Sequence, residues 1–157
     1  MTITLTNRYL KRWEILELLP YGDNFLFLDR AMIFSDKYEA EGKYLVPEAK
    51  NNLILQSHFK TTPIFPGVLQ AEGAAQLAAL LVGVKENLVD EFPMLSSLNL
   101  KLKTFAKPGD FITFKVYLLE KTGKKFDFHA EIIVRNRTSS CLLGGRVVSK
   151  KLFAVLK

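Results

Sequence analysis

The feature that most constrains the fold of this chain is residues 67–82, a stretch that is apolar on nearly every side when read as a helix. A helix without a polar face has to be buried, so the rest of the chain must enclose it. Pro66 suits the first turn of this helix, and Gly83 is predicted to end it. The apolar members of the stretch are Val68, Leu69, Ala71, Ala74, Ala75, Leu77, Ala78, Ala79, Leu80, Leu81 and Val82.

The segments before this helix predict one short helix and one hairpin. The short helix is expected to bury a side that carries Trp13, Leu16 and Leu19. Two strand-like segments follow it and are joined by a turn at residues 35–37. In chain order the segments are a helix at residues 13–19, strands at residues 25–34 and 38–46, and an irregular stretch at residues 47–56.

Strict alternation takes over after the long helix. Leu98, Leu100 and Leu102 are predicted to point to a dry face of a strand, and the residues between them to a wet face. Gly144 and Gly145 are predicted to form a bulge. Further strands are predicted at residues 111–119, 126–135 and 142–156, with turns at residues 108–110 and 122–124. The whole pattern predicts a single α+β domain, residues 1–157, in which a curled antiparallel sheet wraps around one long buried central helix.

Charge and cysteine content narrow the classes of partner and site. The chain has 22 Lys and Arg against 16 Asp and Glu, a formal net charge of +6, and the basic residues are scattered. No nucleic-acid-binding motif is recognisable, so we expect no nucleic-acid partner. One cysteine, Cys141, excludes an internal disulfide and a cysteine-based metal site, and its apolar strand predicts a core position. Two lysine clusters suit an acidic partner: Lys101/Lys103/Lys107 and Lys121/Lys124/Lys125.

Neither a membrane span nor a secretory signal is expected. The longest apolar run, residues 71–84, is shorter than a bilayer requires and contains Glu72 and Gln76. Residues 1–10 lack the apolar core and the cleavage site of a signal peptide. We therefore expect a cytoplasmic protein that does not insert into a membrane.

Glu72 is the most informative residue of the apolar helix. Its neighbours three and four positions away include no cation. A carboxylate in such surroundings is costly unless it is paired, neutralised or used in a functional site. The sequence leaves three environments open for Glu72: a functional site, a wet gap, or an ion pair with a lysine distant in the chain.

The two histidines of the chain differ in their surroundings. His129 shares the polar face of a predicted strand and is expected to be an ordinary surface residue. His58 precedes a proline-stiffened loop that leads into the long helix, and histidine exchanges protons near neutral pH. At Gly67, the start of this helix has free N–H groups that suit an oxyanion or a polarised carbonyl. His58, Glu72 and the helix start are therefore a candidate acid/base site, with a purely structural His58 as the alternative.

Other kinds of catalytic site find no support in the sequence. The chain lacks a Gly-x-Ser-x-Gly motif, a P-loop and a Gly-x-Gly-x-x-Gly motif. The paired histidines that metal sites usually need are also missing, so we expect no metal.

A series of short motifs extends in order over nearly the whole chain, from about residue 13 to residue 150. They are Leu18-Leu19-Pro20, Phe25-Leu26-Phe27-Leu28-Asp29-Arg30, His58-Phe59, Pro63-Ile64-Phe65-Pro66-Gly67-Val68-Leu69 and Glu72-Gly73-Ala74-Ala75-Gln76. In this order they resemble the 3-hydroxyacyl-acyl-carrier-protein dehydratases of bacterial type fatty-acid synthesis.

This resemblance implies a hot-dog fold and an obligate homodimer, often assembled as a trimer of dimers, with His58 from one subunit and Glu72 from the other in each site. It implies a reversible elimination of water from a (3R)-3-hydroxyacyl thioester, without a cofactor, that gives the trans-2-enoyl thioester. The acyl group would be carried by an acidic acyl carrier protein. A related branch that also isomerises its product has Asp at the position of Glu72, which favours the simple dehydratase here.

The resemblance also implies roles for individual residues. His58 would remove the C2 proton, and Glu72 would protonate the departing hydroxyl. Backbone N–H groups at Gly67 and Val68 would polarise the thioester carbonyl. The remaining substrate contacts implied by the motifs are Phe59 and Gln76.

Three positions depart from the usual pattern of this family. Ser57 stands where a glycine is usual, Lys60-Thr61-Thr62 replaces a Pro-Gly turn, and Tyr21 replaces a common histidine. These departures leave both proposed catalytic side chains in place and suit a specialised polyene or lipid pathway. Two alternatives stay open: a hot-dog thioesterase in which Glu72 activates water, and a non-catalytic acyl-binding subunit that pairs with an active homologue.

Overall fold

The computed structural model describes residues 6–154, which form one seven-stranded antiparallel sheet and one long helix that packs against it. The strands are β1 Arg8–Lys11, β2 Arg30–Ile33, β3 Glu39–Leu45, β4 Glu91–Lys101, β5 Phe111–Thr122, β6 Lys125–Val134 and β7 Arg137–Ser149. The helices are α1 Arg12–Leu18, α2 Leu53–Ser57, α3 Gly67–Lys85 and α4 Lys151–Ala154. The order of strands in the sheet is β1-β2-β3-β5-β6-β7-β4. The predicted fold class, an antiparallel sheet wrapped around one long central helix, is confirmed.

The long helix α3 is buried as predicted, but it continues beyond its predicted end. It runs for 19 residues and passes through Gly83. Asn87, with a φ of 51°, ends it, and the N–H of Leu88 bonds to the carbonyl of Gly83 at 3.0 Å. The prediction that Gly83 stops the helix is therefore wrong, because an asparagine adopts the left-handed conformation at the helix end instead.

By length and mean hydropathy, 1.4, α3 is long and apolar enough to cross a membrane, so the expectation that no run reaches this length is wrong. However, 67% of this window is buried inside the fold. Gly73 shows how closely α3 packs on the sheet, since a methyl group at this position would lie 2.5 Å from Cζ of Phe114. The packing identifies α3 as the core helix of the domain.

The prediction for the short helix α1 is confirmed only in part. Leu19, which follows the helix, is buried as predicted, and Ile15 is buried too, whereas Trp13 is 59% exposed and Leu16 only packs at the margin of the core. Arg12 ties the start of α1 to the following loop, because its guanidinium bonds to the side chain of Asp23 at 2.9 Å and to three carbonyls of that loop.

Several other predicted boundaries move. The hairpin of β2 and β3 is confirmed, but its first strand begins only at Arg30. The stretch predicted as irregular contains α2, which begins where the side chain of Asn52 accepts a bond from the N–H of Leu55 at 3.1 Å. The last strand begins at Arg137, earlier than predicted, and ends at Ser149. Residues 155–156 of that predicted strand lie outside the described residues.

Strand β4 lies at one edge of the sheet and pairs only with β7 among the described strands. The extra residue in this pair is Ser96 of β4, which lies opposite Gly144 and Gly145. These two glycines pair without interruption with β6. The predicted glycine bulge in β7 is therefore wrong, and the bulge lies in the neighbouring strand β4 instead. Because of the extra residue, Leu95 and Leu98 share one face of the sheet although they are three residues apart.

The predicted dry face of β4 is confirmed only in part. Leu98 and Leu100 pair with Leu143 and Cys141, and both partners are buried. Leu98 is nevertheless 43% exposed, and so is Leu102, which lies just beyond the end of β4. The chain itself therefore leaves the inner face of its edge strand partly uncovered.

Candidate active site

His58 ends helix α2 and begins a tight loop to Ile64. The N–H of His58 bonds to the carbonyl of Ile54 at 2.9 Å, and the carbonyl of His58 accepts a bond from the N–H of Ile64 at 2.9 Å. The imidazole Nδ1 lies 2.9 Å from the carbonyl oxygen of Ile64. Because a carbonyl can only accept, Nδ1 carries the hydrogen, and in the neutral imidazole the lone pair then lies on Nε2. The loop thus holds half-buried His58 in the tautomer that a general base needs.

The loop after His58 stays closed although it lacks the Pro-Gly turn. The N–H of Thr62 bonds to the carbonyl of Phe59 at 3.2 Å across Lys60 and Thr61. The Phe59 ring lies against the imidazole, with ring centroids 4.3 Å apart, and is 57% exposed. Lys60, Thr61 and Thr62 therefore form a hydrogen-bonded turn that places the exposed ring of Phe59 beside His58.

The start of α3 presents free backbone donors. Within residues 6–154, no acceptor is found for the N–H groups of Gly67 and Val68, while Leu69 and Gln70 both bond to the carbonyl of Pro66. At Gly67 the helix start lies close to the side chain of Leu102, since a methyl group on Gly67 would come within 2.1 Å of Cδ1 of Leu102. The predicted donors therefore have no partner in the described part of the chain, which a site for a polarised carbonyl requires.

Glu72 faces a pocket between α3 and the sheet. Its carboxylate accepts hydrogen bonds from Nε2 of Gln76, at 3.1 Å, and from the hydroxyl of Tyr21. Burial raises the pKa of Glu72 above its ordinary value, although both hydrogen bonds lower it. None of the ion pairs found in the described part of the chain involves Glu72, so the alternative of a distant lysine partner finds no support there.

The pocket beyond Glu72 is apolar and narrow, with a cavity volume of about 40 Å³ within this chain. Small residues of α3 line one side, and aromatic and aliphatic residues of the sheet line the other. This lining suits an alkyl group rather than a polar ligand. Apart from Tyr21 and Glu72, its lining consists of Ala75, Ala78, Ala79, Val82, Pro93, Met94, Leu95, Phe126, Phe128, Leu143, Gly144 and Gly145.

Gln76, predicted to contact substrate, is fully buried and has no free donor. Its Nε2 donates to the carbonyl of Phe25 at 2.8 Å and to Glu72, and its Oε1 accepts from the N–H of Phe27 at 2.9 Å. The structure therefore places it behind Glu72, as a link between the carboxylate and the Phe25–Phe27 backbone. Within this chain the predicted substrate contact of Gln76 finds no support, because both amide hydrogens already have partners and the residue does not line the pocket.

The structure brings some of the candidate residues together and keeps others apart. His58 and Phe59 are neighbours, and Glu72 joins Gln76, but His58 is not among the described residues that line the pocket of Glu72. Tyr21 is a site residue that was recognised from sequence only as a departure from the family pattern. Its contact with Glu72 arises from the fold, since the two residues lie on separate elements. No group of three or more His, Cys, Asp and Glu side chains that could hold a metal occurs within residues 6–154.

The two residues predicted to be outside the site are placed as expected. His129 lies on β6 and its ring stacks on Tyr117, with centroids 6.0 Å apart. Cys141 is buried, and burial raises the pKa of its thiol to about 11.

Comparison with known proteins identifies the family of this chain. Residues 35–141 match the family model of ApeI-like dehydratases, described as ApeI dehydratase. The chain is 31% identical to the 3-hydroxyacyl-[acyl-carrier-protein] dehydratase FabZ of Sinorhizobium fredii over 88% of its own length and 90% of that protein. It is also 31% identical to the FabZ of Caldicellulosiruptor bescii, over 70% of this chain and 78% of that one.

Solved structures share the fold at lower sequence identity. The dehydratase heterocomplex ApeI:P from Xenorhabdus doucetiae superposes with a TM-score of 0.74 and 18% identity, over 96% of this chain and 99% of that one. A mutant of the fluoroacetyl-CoA-specific thioesterase FlK superposes with a TM-score of 0.62 and 11% identity, over 74% of this chain and 90% of that one. These likenesses confirm the predicted hot-dog fold, and the sequence matches confirm the predicted dehydratase resemblance. The chain belongs to the ApeI-like dehydratase family.

Proposed function

We propose that this protein catalyses the reversible dehydration of (3R)-3-hydroxyacyl thioesters, carried on an acyl carrier protein, to trans-2-enoyl thioesters. The observation that carries the proposal is Glu72, a carboxyl group with a raised pKa at the polar end of an apolar pocket, in a chain of a dehydratase family. Relatives named as 3-hydroxyacyl-[acyl-carrier-protein] dehydratases support this class of substrate. We take residues 1–157 as one domain, and the cytoplasmic location stays a prediction.

The chemistry follows from the geometry of the individual groups. Nε2 of His58 takes the proton from C2 of the substrate, and the electron pair forms the double bond to C3 as the C3 hydroxyl leaves. Protonated Glu72 gives its proton to this hydroxyl, so that water departs and a carboxylate remains. The N–H groups of Gly67 and Val68 stabilise the negative charge on the thioester oxygen during the transfer. The proton on His58 returns to the carboxylate side through solvent before the next turnover.

A homodimer would complete this site. Within one chain, His58 does not line the pocket of Glu72, so we propose that a second copy supplies it. Edge strand β4 is the surface that fits a second copy, because its free edge can pair and its residues 94–99 are exposed in one chain. Leu98 and Val68, 43% and 67% exposed, would then be covered. Assembly into a hexamer as a trimer of such dimers stays a prediction.

One of the two lysine clusters is better suited to bind an acidic carrier protein. Lys121 and Lys124 form ion pairs with Glu86 and Glu91, so their charges are largely compensated. Within residues 6–154, the cluster Lys101/Lys103/Lys107 has no such partner. It lies next to Leu102, which contacts the helix start, and so a carrier bound there could deliver its thioester to Gly67.

The test is the absorbance of the enoyl-thioester band when the purified protein is mixed with a 2-enoyl thioester on acyl carrier protein. We expect the band to decay by hydration without release of free thiol. His58→Ala and Glu72→Gln should each lower the rate at least ~10²-fold while the protein stays folded, the usual scale for a positioned acid or base. Near-normal turnover in either variant would remove that residue from the mechanism. Release of free thiol would instead identify a thioesterase.

A non-catalytic acyl-binding subunit is the second candidate. Its support is the ApeI:P structure, a heterocomplex by its description, and the unusual turn at Lys60-Thr61-Thr62. In this case the purified chain would bind enoyl thioesters but leave the band unchanged, and activity would appear only after addition of a homologous subunit.

A further inference from the structure

The loop between α1 and β2 places one phenol against the proposed acid. Tyr21 follows Leu19 and Pro20, its ring lies 6.1 Å from that of Phe25 by centroid, and its hydroxyl bonds to Glu72. It lines the same pocket as the carboxylate. Nothing else in the mechanism above uses this contact.

The two donors to Glu72 differ in how firmly they are held. Gln76 is fully buried and tied to the backbone of Phe25 and Phe27, so it holds one carboxylate oxygen from behind. Tyr21 is only half-buried and lies at the pocket itself. The Glu72 carboxyl thus has one firmly held donor, Gln76, and one neighbour at the pocket, Tyr21, whose hydroxyl can respond to the charge of the carboxyl.

We propose that Tyr21 is a positioning residue: its hydroxyl orients the carboxyl of Glu72 toward the pocket and stabilises the carboxylate that is left when Glu72 has given up its proton. This inference rests on the function proposed above. Tyr21 keeps its own proton throughout, because burial, the charge of Glu72 and their hydrogen bond raise the pKa of Tyr21 to about 12.

The surroundings leave few other groups that could set the protonation of Glu72. In the described part of the chain, the remaining pocket lining from α3, β4, β6 and β7 has no titratable side chain. Gln76 is neutral. In the proposed dimer, His58 would act as the base and Glu72 as the acid.

The experiment compares Tyr21→Phe with the unchanged protein by two measurements. The first is the titration of the Glu72 carboxyl by ¹³C NMR of glutamate-labelled protein, with its signal assigned from Glu72→Gln. The second is the pH profile of kcat/KM for dehydration. Loss of one hydrogen bond to the ionised form should raise the pKa of Glu72 by roughly half a unit to one unit. The falling limb of the profile should move to higher pH by the same amount, and the plateau should drop about tenfold.

Tyr117→Phe is the matched control, because Tyr117 also bonds to a carboxylate, Glu131 at 3.4 Å, but on the outer face of the sheet. It should leave the titration of Glu72 and the pH profile unchanged. Replacement of Tyr21 by 3-fluorotyrosine, a stronger donor of nearly the same shape, should move the carboxyl titration to lower pH. This second variant keeps the test decisive should Tyr21→Phe fail to fold.

An unchanged titration of Glu72 in both Tyr21 variants would overturn the proposal and leave Tyr21 as a packing residue. The failure of the proposed function would look different. In that case the unchanged protein would not turn over any enoyl thioester, while the NMR titration would still report whether Tyr21 acts on Glu72.

Discussion

At the scale of single residues, the carboxyl of Glu72 connects stability with function. A carboxyl group that is buried enough to hold its proton is ready to act as an acid, but its ionised form destabilises the folded state. Hydrogen bonds from Tyr21 and Gln76 reduce this destabilisation without removing it, because neither residue carries a positive charge. The same environment that prepares Glu72 for proton transfer should therefore make the stability of the protein depend on pH.

The sign of this dependence follows from the raised pKa of Glu72. The folded state binds the proton more tightly than the unfolded state, so the contribution of Glu72 to stability is present below its ordinary pKa and is lost as pH rises through its folded pKa. Glu72→Gln, which cannot ionise, should gain in melting temperature relative to the unchanged protein as pH rises from 4 to 8. We expect a relative gain of about 1–3 °C for a chain of this size.

Thermal unfolding followed by circular dichroism at several pH values checks this prediction. Glu17→Gln, an exposed position on α1, serves as the control and should show no such gain. A gain that is equal at pH 4 and pH 8 would mean that the ionisation of Glu72 is not the cause.

At the scale of elements, two glycines of α3 should respond oppositely to the same substitution. A methyl group at Gly83 would meet no atom within 4 Å, whereas at Gly73 it would press into Phe114. Gly83→Ala should stabilise the protein by about 0.5–1 kcal/mol, because alanine is the better helix former. Gly73→Ala should destabilise it by about 1–3 kcal/mol through overpacking.

Urea unfolding of the two variants measures both free energies of unfolding against the unchanged protein. The comparison is matched, since both substitutions add one methyl group to the same helix. Destabilisation by Gly83→Ala would indicate that this residue has a role at the end of α3 that its open surroundings do not show.

The small residues on the pocket side of α3 should determine how long an acyl chain can be accepted. Ala75, Ala79 and Val82 follow Glu72 at helical spacing and line the pocket beyond it. Ala79→Leu adds three carbon atoms about two turns below the carboxylate. It should lower kcat/KM for a twelve-carbon 2-enoyl thioester about tenfold and leave that for crotonyl thioester within about twofold, since one bulky group in an apolar pocket has an effect of this size.

A chain-length series on carrier-bound substrates checks the prediction, with Gly83→Ala as a control in the same helix that does not line this pocket. An equal loss for long and short substrates would mean that the acyl chain does not follow the face of α3 on which Ala79 lies.

At the scale of the whole molecule, the features predictable from sequence are those that depend on local pattern. A buried α3 follows from its apolar composition, and Glu72 is conspicuous because it interrupts that composition. The exposure of Trp13 on α1 was not predicted, because the orientation of α1 depends on contacts with other elements, such as the bonds of Arg12 to Asp23 and Leu28. The extra residue at Ser96 and the bond from Tyr21 to Glu72 could not be predicted from the sequence either, since both depend on the relative placement of separate elements.

The proposed sharing of each site between two subunits leads to a test that no single-chain property can imitate. His58→Ala and Glu72→Gln should each be inactive as homodimers. In a mixed dimer, one site combines both altered residues, while the other combines Glu72 of the His58→Ala chain with His58 of the Glu72→Gln chain and is intact. Random mixing makes half of the dimers mixed, each with one working site of two, so about a quarter of the original activity should return.

The two variants would be co-expressed with different tags, so that mixed dimers can be isolated and measured by decay of the enoyl-thioester band. Mixed dimers selected by both tags should then show about half of the original activity per dimer, because each has one intact site. A double variant that carries both substitutions in one chain, paired with the unchanged chain, is the informative control. Its mixed dimers have one altered residue in each site and should be inactive. The opposite outcome, active control dimers and no complementation, would place His58 and Glu72 of one chain in the same site.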